Sequence, residues 1–269
     1  MAAPEKETKR VWHWALLAIL VWAGLAYVML PRLWTHHEHQ PGIRHLPMVT
    51  QTKQGIPGDP IDVGLVGSHE DVVRAMVAAG WVPADPVTLK SSIAIVGSVL
   101  LHRPDPKAPV SPLYYDGRVE DLAFEKEIGR SADRRDHVRF WKVLDVGKEG
   151  APVWLGSATY DRGVGLSHYT GAVTHHIGPD VDSVRDLLVD DLKAAGMVRD
   201  VYQVTGVGPT LFGRNGGGDP YYTDGEIWFA RLMPNGEKNP NPATIIPPPP
   251  AVGVKDAFWD SLARLVAGD

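Results

Sequence analysis

The chain has 269 residues, of which 44% are hydrophobic and 22% are charged, and its formal net charge is −5. These proportions are typical of a globular protein with a sizeable core. An acidic chain without clustered Lys and Arg is poorly suited to a polyanion, so no nucleic-acid partner is expected. The chain contains no cysteine, which excludes disulfides, thiolate metal sites and cysteine nucleophiles.

The N-terminal region predicts a membrane anchor. Residues 1–10 are basic and are expected to be cytoplasmic, whereas residues 11–31 contain no Asp, Glu, Lys or Arg. Twenty helical residues span about 30 Å, the thickness of the hydrocarbon core of a bilayer. Trp12, Trp14 and Tyr27 suit the two membrane interfaces. A cleaved signal peptide and a buried soluble helix are the alternatives. The pattern favours a single-pass membrane protein with the bulk of the chain extracytoplasmic.

Residues 32–58 are predicted to be a linker. They contain the run HHEH, with His36, His37 and His39 among Pro, Gly and Gln. Such a run can bind a stray transition metal, but a solvated juxtamembrane linker is the simpler interpretation.

Residues 59–233 predict one α+β domain. Ser68 and Asp71 form a capping-box pair that begins a helix after the apolar run IDVGLVG. Helical spacing of apolar positions predicts a second helix over residues 88–101, and Pro179 begins the third. Strands are predicted within residues 61–67, 113–125, 137–143, 153–161, 171–177, 201–207 and 226–233. We therefore expect a mixed or antiparallel sheet with about three packed helices, preceded by one transmembrane helix.

Two further segments follow the domain. Residues 234–253 are rich in proline and predict an extended linker. Residues 254–269 predict an amphipathic helix, which either docks on the domain or lies on the membrane surface.

Polar side chains of catalytic type are concentrated in the middle of the chain. Side chains alternate along a strand, so His175 and His176 are expected to face opposite ways, and only one of them can point into a shared pocket. The candidate catalytic residues are His137, Arg139, Asp161, Arg162, His168, His175 and His176.

Three interpretations of these residues remain open. The first is a divalent metal site of two histidines and one carboxylate, with His137, Asp161, His168 and His176 as the candidate ligands. The second is an anion pocket for phosphate or carboxylate in which a histidine acts as general acid or base. The third is structural pairing alone. No spacing matches a defined metal signature such as HExxH.

The glycine-rich segment 213–225 also has several interpretations. A long hairpin loop is expected, because the segment leads to a strand rather than to the helix that normally follows a phosphate-binding loop. Asn215, Asp219 and Asp224 are alternative oxygen ligands for calcium, without the spacing of an EF-hand.

Three motifs together resemble a known family. They are RRDHVRFW (134–141), ATYDRGVGLSHYTGAVTHHIGPDVDSVRD (158–186) and NGGGDPYYTDG (215–225). In their order and spacing they resemble the LssY C-terminal domain family of bacteria, over roughly residues 59–233. The resemblance implies a membrane context in the cell envelope and no particular reaction. In that family the domain can follow phosphatidic-acid-phosphatase-like modules, but no such module is recognised here, so lipid phosphatase activity is not inferred.

Two functions are consistent with these observations. The first, which the sequence favours because no catalytic signature is specific, is a binding or accessory module that recognises an envelope lipid or a neighbouring membrane protein. The second is a hydrolase or transferase acting on a phosphate- or carboxylate-bearing substrate through the His, Asp and Arg residues. A concave pocket in which these side chains converge would favour the enzyme.

Overall fold

The chain forms two compact units, Met1–Glu38 with Pro249–Asp269, and His39–Pro248. The computed structural model describes residues 4–29, 40–96, 112–128, 134–204, 211–248 and 257.

The described part of the first unit is an apolar helix. Helix α1 (Pro4–Gly24) continues into a π-helical turn at Leu25–Met29. The span Arg10–Met29 is long and apolar enough to cross a membrane, and none of it is buried within the structure. Such an exposed apolar surface is unfavourable in water and matches a bilayer. The predicted C-terminal helix (residue 257 apart) and the HHEH run lie outside the described residues.

The second unit is an α+β domain. Its described helices are α2 (His69–Ala78), α3 (Pro86–Val96) and α4 (Asp182–Ala194), with 3₁₀ turns at Pro41–Ile43 and Pro234–Gly236. The strands are β1 (Val49–Gln51), β2 (Pro57–Pro60), β3 (Val63–Val66), β4 (Val82–Pro83), β5 (Tyr114–Tyr115), β6 (Arg118–Val119), β7 (Leu122–Glu127), β8 (Arg135–Leu144), β9 (Val153–Leu166), β10 (Val173–Ile177), β11 (Val198–Val204), β12 (Phe212–Arg214), β13 (Pro220–Tyr222), β14 (Ile227–Leu232) and β15 (Thr244–Ile245).

A nine-stranded sheet organises the domain. Its order is β15-β11-β14-β3-β9-β8-β7-β4, and β10 pairs with the far end of β9. The pairs β14–β3 and β11–β15 are parallel, and the other pairs in this sheet are antiparallel. Strands β2-β1-β5-β6 form a smaller sheet, and β12–β13 form a hairpin. The predicted α+β class with a mixed sheet is confirmed.

Both faces of the large sheet are covered, which accounts for the long apolar stretches in its strands. On one face, Val138 and Phe140 of β8 belong to a core that includes Leu188 of α4. On the other face, Trp141 of the same strand belongs to a second core with Tyr202. Alternation along β8 therefore supplies both cores. The second face is apolar only at one end, and its other end carries the polar side chains described below.

The predicted helix signals act as expected. The Ser68 hydroxyl accepts from the Asp71 backbone N–H at 3.1 Å, and the Asp71 carboxylate accepts from the Ser68 N–H at 3.1 Å. This reciprocal pair satisfies two donors that the helix leaves unpaired. The third helix differs from the prediction: α4 begins at Asp182 rather than at Pro179, and the Asp180 carboxylate accepts from the Ser183 N–H at 3.2 Å just before it.

The domain is longer at both ends than predicted. Gln40 is buried and donates a hydrogen bond to the Tyr202 hydroxyl at 2.7 Å. Residues 40–58, expected to be linker, contribute strand β1 and part of β2. In the predicted proline-rich linker, β15 pairs in parallel with β11. Both segments were predicted to be linkers for the same reason. The groups that hydrogen-bond to them are far away in the sequence, so no local pattern indicates the pairing.

Candidate functional site

One end of the large sheet buries polar side chains instead of apolar ones. Strands β8 and β9 place them in opposed pairs on one face. Each of these side chains is buried, and burial of polar groups is unfavourable unless they find partners. The pairs are Arg135 with Asp161, His137 with Thr159, and Arg139 with Ser157.

Asp161 lies between two imidazoles. Its Oδ2 atom is 3.0 Å from Nε2 of His137 and 3.2 Å from Nδ1 of His175. Burial opposes ionisation of Asp161, but the two histidines outweigh it and hold the pKa of Asp161 well below its usual value. The carboxylate is therefore ionised, and it lies beside Nδ1 of His175. The Nε2 atom is then the ring nitrogen left for chemistry.

A β-bulge brings β10 into this position. His176 pairs with Gly163, but the next residue, Ile177, pairs with Asp161. Arg162 is thus the additional residue of the bulge. Its side chain is half exposed, whereas Asp161 is buried. The bulge keeps the carboxylate inside and directs the guanidinium outward.

A cleft of about 310 Å³ opens onto this cluster. Its lining includes Asp59, Arg139, Asp161 and His175. Lys53 and the turn 215–217 also contribute to its walls. Three of the predicted site residues therefore line one concave surface, and a fourth, His137, lies directly behind Asp161.

Asp59 and Arg139 are loosely paired within the cleft. The guanidinium Nη1 of Arg139 is 3.8 Å from Asp59 Oδ2, and its Nε is 3.7 Å from Glu120 Oε1. Both distances exceed those of a hydrogen bond. Burial raises the pKa of Asp59 to about 6, although Arg139 acts in the opposite direction and Asp161 adds to the increase. The two cleft carboxylates thus differ strongly in acidity.

A second cluster contains the remaining predicted histidines. Asp219 Oδ1 is 2.8 Å from His176 Nδ1 and 3.6 Å from His168 Nε2. The other carboxylate oxygen of Asp219 accepts from the Ile177 N–H at 3.1 Å. Arg162 Nη2 is 3.9 Å from Oδ1.

The predicted four-residue metal set is therefore divided between two clusters. His137 and Asp161 belong to the first, whereas His168 and His176 belong to the second. Alternation along β10 is the reason, because His175 contacts Asp161 and His176 contacts Asp219. The prediction of one mixed set needs correction: each cluster has its own carboxylate.

Sequence reasoning missed the roles of Asp59 and Asp219. Asp59 carried no signal beyond its position near the domain start, because its cation, Arg139, is 80 residues away. Asp219 was expected only as a calcium ligand. Of the other two alternative calcium ligands, Asp224 pairs with Arg185 at 2.9 Å, and Asn215 Oδ1 accepts the backbone N–H groups of residues 217 and 219.

Comparison with known proteins identifies one family. The model of the family described as LssY C-terminus matches residues 43–227, more than half of the chain. This range includes the residues of both clusters. No curated protein and no solved structure matches the chain.

Proposed function

The chain belongs to the LssY C-terminus family, and we propose that it is a membrane-anchored hydrolase or transferase acting on a phosphate- or carboxylate-bearing envelope substrate. The observation that carries the proposal is the convergence of Asp59, Arg139, Asp161 and His175 on one cleft, with Asp161 3.2 Å from His175 Nδ1. The pKa values of the two carboxylates, which are shifted in opposite directions, support it. In active sites, two carboxyl groups whose pKa values differ in this way commonly act as acid and base, respectively.

Each polar group has a role in this proposal. His175 accepts a proton at Nε2 from a water or hydroxyl nucleophile, while Asp161 stabilises the resulting imidazolium. The nucleophilic oxygen attacks the phosphorus or carbonyl carbon, and the bond to the leaving oxygen breaks. Asp59 donates the proton that the leaving oxygen takes up. Arg139 orients the anionic group of the substrate.

A serine nucleophile is not part of the proposal. The Ser167 hydroxyl lines the cleft, but it accepts from the backbone N–H groups of Tyr169 at 3.2 Å and Thr170 at 3.3 Å. These contacts use the hydroxyl to close a turn. Water or a hydroxyl of a second substrate therefore fits the nucleophile better.

The location of the substrate follows from the predicted orientation. Lys6, Lys9 and Arg10 precede the apolar helix, and positive charge favours the cytoplasmic side. The domain then faces the extracytoplasmic side, close to lipid head groups and envelope polymers. Lipids or membrane proteins of the envelope are the corresponding partners.

A binding module is the second candidate. It is favoured by the long ion pairs of Arg139, which leave this guanidinium suited to accept an incoming anion. In that case Arg139 supplies affinity and no bond is broken.

Turnover of generic substrates distinguishes the two candidates. Full-length protein in detergent micelles is assayed with p-nitrophenyl phosphate, bis(p-nitrophenyl) phosphate and a p-nitrophenyl hemiester of a dicarboxylic acid. We expect hydrolysis of at least one, a decrease in kcat of about 10²–10⁴-fold for His175→Gln, and an increase mainly in KM for Arg139→Gln. Arg199, exposed on β11, gives the matched control Arg199→Gln. Absence of turnover, or full activity of His175→Gln, would contradict the enzyme.

A further inference from the structure

We propose that His168, His176 and Asp219 form a binding site for one divalent transition-metal ion. This site goes beyond the proposed acid–base cleft, because it uses the histidine of β10 that faces away from Asp161. It offers two imidazole nitrogens and one carboxylate oxygen, a donor set that suits zinc and related ions better than calcium or magnesium.

The spacing of the three donor atoms fits one ion. The candidate ligand atoms all lie within 4.8 Å of one another. Metal–nitrogen bonds of about 2.0–2.1 Å in a tetrahedral site separate neighbouring ligand atoms by roughly 3.4 Å. The two contacts to Asp219 Oδ1, at 2.8 and 3.6 Å, are on either side of this value.

The backbone holds two of the ligands in place. Asp219 is 2% exposed, and its Oδ2 atom is fixed by the Ile177 N–H, so that Oδ1 faces the imidazoles. The His168 N–H donates to the carbonyl oxygen of Gly217 at 2.8 Å. This bond joins the turn after β9 to the loop that carries Asp219. Ligands held in this way lose little freedom when a metal binds.

Glycines make room for both imidazoles. A Cβ atom at Gly165 would lie 2.4 Å from His176 Nε2. A Cβ atom at Gly218, where φ is +92°, would lie 2.7 Å from the His168 Cβ. Larger residues at either position would displace a ligand.

The site is open to solvent on one side. The His168 side chain is 61% exposed, and that of Arg162 is 50% exposed. Arg162, 3.9 Å from Asp219, is a partner for the buried carboxylate before the metal arrives, and its exposure lets it move away. An accessible site with three protein ligands leaves a coordination position for water or a substrate group.

Calorimetric titration with Zn²⁺ alone tests this site. The full-length protein in detergent carries Ala at His36, His37 and His39, which removes the histidines of the HHEH run. We expect one Zn²⁺ per chain, a rise in Tm on binding, and affinity about tenfold or more weaker for Asp219→Asn and for His168→Gln. His45, also exposed, provides the control His45→Ala, which should bind as the parent does.

Asp219→Asn and His168→Gln are used together because a loss of zinc binding can also result from misfolding. Asp219 is buried, so its substitution can weaken the fold, whereas the exposed His168 can be replaced with the domain intact, as unchanged circular dichroism would verify. The absence of stoichiometric Zn²⁺ binding would overturn the proposal. Unchanged affinity in folded His168→Gln would overturn it equally. Because the readout is metal binding, it is independent of turnover in the cleft.

Discussion

Individual carboxylates in the domain are buried at an energetic cost. Asp59 lies in the cleft, Asp62 accepts from the Ala158 N–H at 3.0 Å, and Asp136 faces the helix side of β8. Burial raises the pKa of each of them. Only Asp161, with its two histidines, is shifted downward among the carboxylates of the cleft. The site therefore depends on which carboxylate lies between two imidazoles.

Asp136 allows the cost of burial to be measured away from the cleft. Its pKa is raised to about 6 by burial, with Lys126 acting in the opposite direction and Asp191 adding to the increase. Between pH 4 and 6 the unfolded chain loses this proton before the folded chain does. The contribution of Asp136 to the free energy of unfolding therefore falls as the pH rises through this range, and it is constant above it. We therefore compare the effect of Asp136→Asn on the free energy of unfolding at two pH values. We expect this effect to be about 1–3 kcal/mol more stabilising at pH 7 than at pH 4.

Urea denaturation at the two pH values provides the measurement. Asp190, whose side chain is exposed, gives the control Asp190→Asn, which should change little between them. An equal effect of Asp136→Asn at pH 4 and pH 7 would show that burial does not govern this carboxyl.

At the level of elements, local signals predicted local structure well. The capping box at Ser68 began α2 as expected, and strands formed where β-rich stretches were predicted, because caps and side-chain alternation act over a few residues. Alternation also predicted that His175 and His176 face different ways. The carboxylates that these histidines contact could not be predicted. His176 and Asp219 are 43 residues apart in sequence, and the bulge at Arg162 sets the register of β10.

The segment at the domain's N-terminus provides a test at this scale. Gln40 donates to the Tyr202 hydroxyl, contacts Glu149 and accepts from the Lys148 N–H at 3.4 Å. Gln40 is buried, and Gln40→Ala removes these hydrogen bonds and leaves a gap at the edge of the domain, so we expect a loss of about 1–3 kcal/mol in the free energy of unfolding. Gln51 is exposed, and Gln51→Ala is the control. If both variants unfold at the same urea concentration, residues 40–48 behave as the linker that the sequence predicted.

At the scale of the whole molecule, the chain combines an apolar helix with a domain that carries a polar cleft. The absence of cysteine makes their topology directly measurable. A single cysteine at Val146, which is 69% exposed, is expected to react with a membrane-impermeant maleimide in intact spheroplasts. A cysteine at Lys6 is expected to react only after the membrane is permeabilised. The reverse pattern would place the domain in the cytoplasm.

The most direct test of the central claim, that the cleft recognises an anionic group, is calorimetric titration with inorganic phosphate in the presence of EDTA. EDTA removes metal ions from the protein, so that phosphate binding to a metal does not contribute to the measured heat. We expect saturable binding to the wild-type protein, loss of about tenfold or more in affinity for Arg139→Gln, and unchanged binding for Arg199→Gln. No saturable binding, or equal affinity of the two arginine variants, would contradict it.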